Sequence, residues 1–205
     1  MIAVVDYGMG NLHSVRNAFD LIGADVAVTG DPVEILRAER IVLPGVGAFG
    51  ECVKNLEGAG LRGVLEEAVL GRRTPWLGIC LGRQVLATTG EEFGTHQGLG
   101  WVPGVVRRFD EVGLIVPHVG WNEIEPQVES PLFRRLGHAP CFYFVHSYRF
   151  VADDRRMVAA TCEYGGSFAA AILYRNIFAT QFHPEKSQDV GLRLLENFLD
   201  WEPVC

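Results

Sequence analysis

The pattern best suited to chemistry in this chain is a cysteine between two glycines at the end of an apolar run. In residues 74–84, TPWLGICLGRQ, the apolar Trp76, Leu77 and Ile79 lead to Cys80, with Gly78 and Gly82 on either side. A buried strand running into a glycine-flanked nucleophile and then a helix has the layout of a nucleophile elbow. The side chain stands on a tight turn, and the glycines let neighbouring backbone come close. The first N–H groups of the following helix then face the sulfur and favour thiolate over thiol. Taken alone, the same stretch also suits a small buried hydrophobe, as most free cysteines are.

A base discriminates between the two readings. A thiol at its reference pKa is only about a few per cent ionised at neutral pH, so a cysteine nucleophile is usually paired with a base. That base gains from a carboxylate that fixes its tautomer and steadies the imidazolium. Of the six histidines, His13, His96 and His138 fall in turn or helix contexts and are expected to be solvated. His118 and His146 lie in apolar strands and suit structural roles. Only His183 follows a buried strand with a carboxylate at fixed offset, Glu185, across the stiffening Pro184. Period-two geometry would point His183 and Glu185 the same way, so that they act in series on Cys80. Pro44-Gly45-Val46-Gly47 also follows a buried strand, where glycine leaves backbone N–H groups free to face a ligand or to flip. A plain strand-to-helix turn is the commoner use of such a stretch. The glycines of residues 6–11, DYGMGN, form neither GxGxxG nor a P-loop, so phosphate binding is not expected there.

These residues must be positioned by the elements around them. An apolar run at 2–6, glycine turn, and helical spacing of Leu12, Val15, Phe19 and Ile22 stopped by Gly23 open a βαβ unit. Strands at 26–28 and 40–43, a short helix from Asp31-Pro32, and an amphipathic helix through Leu61, Val64, Leu65, Ala68 and Val69 continue it to the Cys80 strand. The order β-α-β-α-β-α-β predicts a doubly wound, mainly parallel α/β sheet, with ligands beyond the carboxyl ends of its strands. After Gln84, strands at 94–109, 114–125, 141–151, 157–163 and 167–173 have connections too short for crossover helices, which predicts an antiparallel section in the second half. Residues 131–136 suit a short helix, 176–182 a strand ending at His183, and Leu192, Leu195 and Leu199 a closing helix widened by Leu194, Phe198 and Trp201.

Two hundred and five residues without repeats or linkers suit one domain, 1–205. A net charge of −7 argues against a nucleic-acid binder, which needs a basic face. No apolar run approaches a membrane span, and Met1 leads into a strand without a signal peptide, so no membrane attachment is expected. The five cysteines (Cys52, Cys80, Cys141, Cys162, Cys205) are odd in number and never in CxxC spacing. That pattern fits a reducing, cytoplasmic setting with neither a disulfide framework nor a metal site.

Together, Gly78-Ile79-Cys80-Leu81-Gly82 with Gln84, Pro44-Gly45-Val46-Gly47, and His183-Pro184-Glu185 resemble the class I (triad) glutamine amidotransferases, whose domain is flavodoxin-like. Residues 6–11, His118-Val119-Gly120-Trp121-Asn122, the stretch YFVHSY at 143–148, and QFHPEKS at 181–187 narrow the resemblance to the glutaminase subunits of imidazole glycerol phosphate synthases. It covers essentially the whole chain. The resemblance implies that Cys80 attacks the side-chain amide of glutamine, giving a glutamyl thioester and ammonia. His183 would shuttle the proton and Glu185 orient it. The N–H of Leu81, with one from Gly45, Val46 or Gly47, would hold the oxyanion. Gly45, Gly47, Gln84 and Glu92, with the Ser147 and Tyr148 backbone, would hold the substrate, and no cofactor is implied. A (β/α)8 cyclase subunit would take the ammonia in a heterodimer, with Tyr143, Trp121, Asn122 and Lys186 toward it. Arg83 departs from the family, which usually has methionine there. It is expected to lay its stem along the wall and carry its charge to water or a neighbouring acid; the alternative is that, three positions on in the same helix, it faces the sulfur and favours thiolate. Rival readings are an amidotransferase feeding GMP, anthranilate or a modified sugar, a stand-alone cysteine hydrolase, and a non-catalytic binding subunit.

Overall fold

The computed structural model describes residues 1–110 and 112–203. Cys205 lies outside the described residues. In chain order the elements are β1 (Ile2–Val5), α1 (Leu12–Leu21), β2 (Val26–Thr29), α2 (Pro32–Arg37), β3 (Arg40–Gly45), α3 (Phe49–Gly58), α4 (Leu61–Glu66), β4 (Trp76–Cys80) and α5 (Leu81–Gln84). Then come β5 (Thr89–Gly90), β6 (His96–Gln97), β7 (Gly104–Arg108), β8 (His118–Glu123), β9 (Glu125–Pro126), β10 (Cys141–His146) and β11 (Tyr148–Ala152). The chain ends through β12 (Val158–Glu163), β13 (Ser167–Tyr174), β14 (Ile177–Thr180) and α6 (Gln188–Asp200).

The main sheet has the order β2-β1-β3-β4-β14-β13-β12-β9. Its first five strands are parallel and the rest antiparallel, as the sequence pattern predicts. Both faces are covered, which is why its strands are near-continuous apolar runs. Along β1 the side chains alternate: Ala3 and Val5 join a core with Ile35, Leu56, Leu61 and Leu65 from α2, α3 and α4. Ile2 and Val4 join the other core, with Val15 and Phe19 of α1 and Leu194, Leu195 and Phe198 of α6. Asp31 caps α2, its carboxylate accepting from Val33 N at 2.8 Å.

The register places the chemistry. Gly45 pairs with Cys80 across β3 and β4, and Thr180 with Ile79 across β14 and β4. The stretches that follow these strands therefore meet at one end of the sheet, although β14 arrives about a hundred residues after β4.

Several elements differ from the sequence pattern. The helix α3 was not anticipated; its buried Phe49, Cys52, Val53 and Leu56 have helical spacing but sit among glycines and charges. The helix after Cys80 is a single turn, Leu81–Gln84, with every residue buried. Within 94–109 only β6 and β7 are strands, and 141–151 divides at Ser147 as the chain leaves β10 for β11 in another sheet. At 131–136 there is only a 3-10 turn, Pro131–Phe133. Among the described residues, no helix is long and apolar enough to cross a membrane.

Candidate active site

Cys80 ends β4 with φ 55 and ψ −107, a backbone region costly for any side chain. Such strain, of order 1–3 kcal/mol, persists only where the surroundings fix it. Here the fixing is steric. A Cβ on Gly82 would lie inside contact distance of the Leu43 carbonyl, so the turn after the cysteine presses directly on β3. The elbow expected from the glycines is thus present. Because α5 is one turn long, what it offers the sulfur is its few free N–H groups rather than a long dipole.

His183 Nδ1 bonds Glu185 Oε1 at 2.8 Å, with both side chains almost fully buried. Strand alternation is not the reason they meet. The chain leaves the extended conformation at His183 and Pro184 starts a 3-10 turn, Pro184–Lys186, that brings the carboxylate back under the ring. Ser187 Oγ ties the turn down, donating to His183 O at 2.6 Å. Burial alone would lower His183, but interaction with Cys80 and Glu185 outweighs it and pushes the imidazole up to about 10. Of the two, Cys80 is the stronger influence raising the ring, with Glu185 next.

Cys80, His183, Leu81, Val46, Gly47, Gln84, Glu92, Ser147, Tyr148 and Lys186 line one cavity of about 360 Å³. Gly45 does not; it lies beneath, packed on Leu81 and on the Tyr7 hydroxyl. Tyr7 was not singled out from the sequence. Its hydroxyl donates to Pro44 O at 3.0 Å and accepts from Cys52 Sγ at 3.3 Å, and burial pushes Cys52 up to about 12. It braces the strand below the Val46–Gly47 loop, where Gly47 holds φ 98 and Val46 stands exposed. Gln84 Nε2 donates to Tyr148 O and Gln181 Oε1, both at 3.1 Å, so its carbonyl oxygen is the end left for the cavity. Glu92 accepts from Phe49 N at 2.7 Å at the start of α3.

Across the cavity, β8 and β10 form a two-stranded ribbon with two unlike faces. Val119, Trp121 and Val145 are exposed, with Tyr143 beside Trp121 at 6.2 Å between ring centroids and Lys186 Nζ 5.9 Å above Tyr143. Val119 and Val145 belong to this apolar face although sequence reasoning passed over them; the alternation along β8 and β10 was the available signal. Asn122 does not share that face. It turns inward, donating to Glu163 O at 3.0 Å, on the same side as the buried His118 and His146.

Arg83 departs from its expectation altogether. It is fully buried and reaches neither water nor an acid. Nη1 donates to Ala169 O at 2.6 Å and Nη2 to Gln181 Oε1 at 3.0 Å, while the guanidinium lies 5.7 Å from the Phe150 ring. Burial pushes it down to about 9, which leaves it a cation at neutral pH. Gln181, also passed over, is a polar residue at the end of a buried strand two positions before His183. Its Nε2 points at Cys80 Sγ, 3.6 Å away.

The family model "Glutamine amidotransferase class-I" matches residues 3–201. The "Imidazole glycerol phosphate synthase subunit HisH" of Syntrophotalea carbinolica is 51% identical, with 98% of this chain and 100% of that protein covered. Its counterpart of the same name in Salinibacter ruber is 48% identical, over 97% and 93%. Among solved structures, PurLQS from Thermotoga maritima superposes with a TM-score of 0.75 at 19% identity, covering 97% of each chain, a likeness of fold.

Proposed function

This chain belongs to the glutamine amidotransferase class-I family and groups within it with the HisH subunits of imidazole glycerol phosphate synthase, and on that premise we propose how its residues divide the work. The chain is a glutamine-hydrolysing subunit formed as one domain over residues 1–205, working in the cytoplasm beside a cyclase subunit. The observation that carries the reading is the Glu185–His183 pair buried against the strained Cys80 in one cavity.

Glutamine enters with its α-ammonium toward the Gln84 carbonyl oxygen and the free side of Glu92, and the Ser147–Tyr148 backbone closes over it. The Cys80 thiol gives its proton to His183 Nε2 and its sulfur attacks the side-chain amide carbon. The oxygen of the tetrahedral adduct takes hydrogen bonds from Leu81 N–H and from an N–H of Val46 or Gly47. Glu185 holds Nδ1, so the proton on Nε2 is the one His183 gives to the leaving nitrogen. Ammonia departs and a glutamyl thioester remains. Water then attacks the thioester carbon, His183 takes its proton, and glutamate leaves as the sulfur is released.

The ammonia passes to a (β/α)8 cyclase partner that closes imidazole glycerol phosphate and frees an aminoimidazole carboxamide ribotide. The exposed Val119, Trp121 and Val145, with Tyr143 and Lys186, form the face for that partner. The Val46–Gly47 peptide is the gate: turning it adds or removes one oxyanion donor, worth about 10²–10³ in rate.

The test is glutamine-dependent against ammonium-dependent synthesis with the cyclase subunit. Cys80→Ala should abolish the first and leave the second, and the parent chain without its partner should hydrolyse glutamine hardly at all. Loss of both activities in Cys80→Ala would overturn the assignment of the sulfur.

A further inference from the structure

Arg83 brings a second cation to the nucleophile, and the chemistry of its donors decides how it acts. A guanidinium has only N–H groups to offer, so the end of the Gln181 amide that meets Arg83 must be the oxygen. Gln84 Nε2 donates to the same oxygen at 3.1 Å, and Arg83 Nη2 does so at 3.0 Å. With both donors on Oε1, the Gln181 NH₂ has one direction left, toward Cys80 Sγ at 3.6 Å. The orientation of this amide therefore follows from the network itself. Arg83 is anchored on its far side by Ala169 O, and no carboxylate competes for it among the described residues.

We propose that Arg83 and Gln181 act as a relay that positions and stabilises the Cys80 thiolate. The guanidinium fixes and polarises the Gln181 amide, and the amide donates to the sulfur. The thiolate accepts such a bond more strongly than the thiol does. The sulfur thus has two cationic neighbours, His183 and, through the Gln181 amide, Arg83. Glu185 supplies the compensating buried charge at the far end of the imidazole. The titratable groups around Cys80 are His183 with Glu185 after β14, Arg83 on α5 and Tyr7 after β1, and, round the cavity, His146, Glu92 and Lys186. Among them Arg83 alone reaches the sulfur through a shared amide.

This inference rests on the reading of Cys80 as the nucleophile, but its test needs neither glutamine nor a partner. The full chain is alkylated with iodoacetamide across pH, and modification at Cys80 is followed by peptide mass spectrometry to separate it from the other thiols. In Arg83→Met and in Gln181→Met, the pH of half-maximal alkylation rate should rise by about one unit, the scale of an opposite charge a few ångströms away. Arg83→Met with Gln181→Met should shift no further than the larger single shift. Midpoints within about 0.3 unit of the parent in folded variants would make Arg83 a structural cation and overturn the relay. A shift in Arg83→Met without one in Gln181→Met would also overturn it, since the charge would then act without the amide. Should Arg83→Met not fold, Gln181→Met breaks the same link from the other side and decides alone. Failure of Cys80→Ala to lose glutamine turnover would sink the functional reading instead, and leaves the alkylation midpoints standing as a separate result.

Discussion

His183 and His146 line the same cavity, both buried, and the protein drives them in opposite directions. His183 is pushed up to about 10 and His146 down to about 3. Burial acts alike on both, so it does not make the difference. What differs is the atoms on the ring nitrogens. His183 is acted on by the Cys80 sulfur and, at Nδ1, by a carboxylate, whereas Nδ1 of His146 meets the Tyr148 carbonyl at 2.8 Å and its Nε2 meets His118 Nδ1 at 3.1 Å. With His146 Nδ1 as donor, Nε2 must accept from His118 Nδ1–H, and His118 Nε2 is left to accept from Asn122 at 3.5 Å. A proton on either ring would set two N–H groups against each other. One histidine is built to be charged and the other two to be neutral, and the partners of each ring account for it.

The most damaging way to break that contrast is to take the carboxylate from His183. Glu185→Gln keeps the shape of the side chain and removes its charge. Glutamine-dependent synthesis should fall by on the order of 10²–10⁴, as expected when an imidazole loses the group that fixes its tautomer. Ammonium-dependent synthesis in the same complex should be unchanged, and NMR titration should find His183 raised less, with Cys80 still acting on it. A variant with near-parental glutaminase activity would show that the ring is held by something other than Glu185.

The contrast also marks what could be read in advance. The cysteine, the base and the acid were legible because each sits at the end of a buried strand beside turn residues, a local signal. The parallel order of the first half was legible for the same reason, through apolar runs alternating with helical spacing. Arg83 was not, because its burial depends on Ala169 and Gln181, 86 and 98 positions away, which no spacing rule connects. The two faces of the β8–β10 ribbon were half legible. Alternation identifies two sets of residues, but which set faces the protein is decided by packing against β12 and β13. The α3 helix was hidden by glycines and charges that its buried stripe overrides.

The ribbon's two faces permit a smaller, sharper test. Trp121→Ala removes an aromatic ring from the exposed face and should weaken binding of the cyclase subunit by about 2 kcal/mol, roughly thirtyfold in Kd, by titration calorimetry. Thermal stability of the free chain should fall by no more than about 1 kcal/mol, since the ring is half in solvent. Asn122→Ala should do the reverse, costing stability through the lost bond to Glu163 O and sparing affinity. An affinity loss from Asn122→Ala equal to that of Trp121→Ala would mean the inward face is also read by the partner.

A last effect separates the two kinds of histidine by pH alone. In the unfolded chain each histidine titrates near its ordinary value of about 6.5. Above that, His118 and His146 are neutral in both states and contribute no slope. As pH falls below it, the unfolded chain binds protons that the folded pair refuses until about 4 and about 3, so folding stability must fall with pH across that window. His183 behaves oppositely: its contribution is fully present below its unfolded value and is lost as pH rises through about 10, so it adds no slope on the acid side. The expected loss between pH 7 and pH 5.5 is therefore about 1–3 kcal/mol and belongs to the ribbon pair, because ordinary carboxylates titrate lower still. Urea unfolding midpoints at half-unit pH steps measure it. His146→Asn, whose amide nitrogen keeps a donor for Tyr148 O, should be less stable at pH 7 yet show a flatter dependence below 6.5. A parent chain equally stable at pH 7 and pH 5.5 would mean that the pair accepts a proton without cost, and the opposition between the two kinds of histidine would then rest on His183 alone.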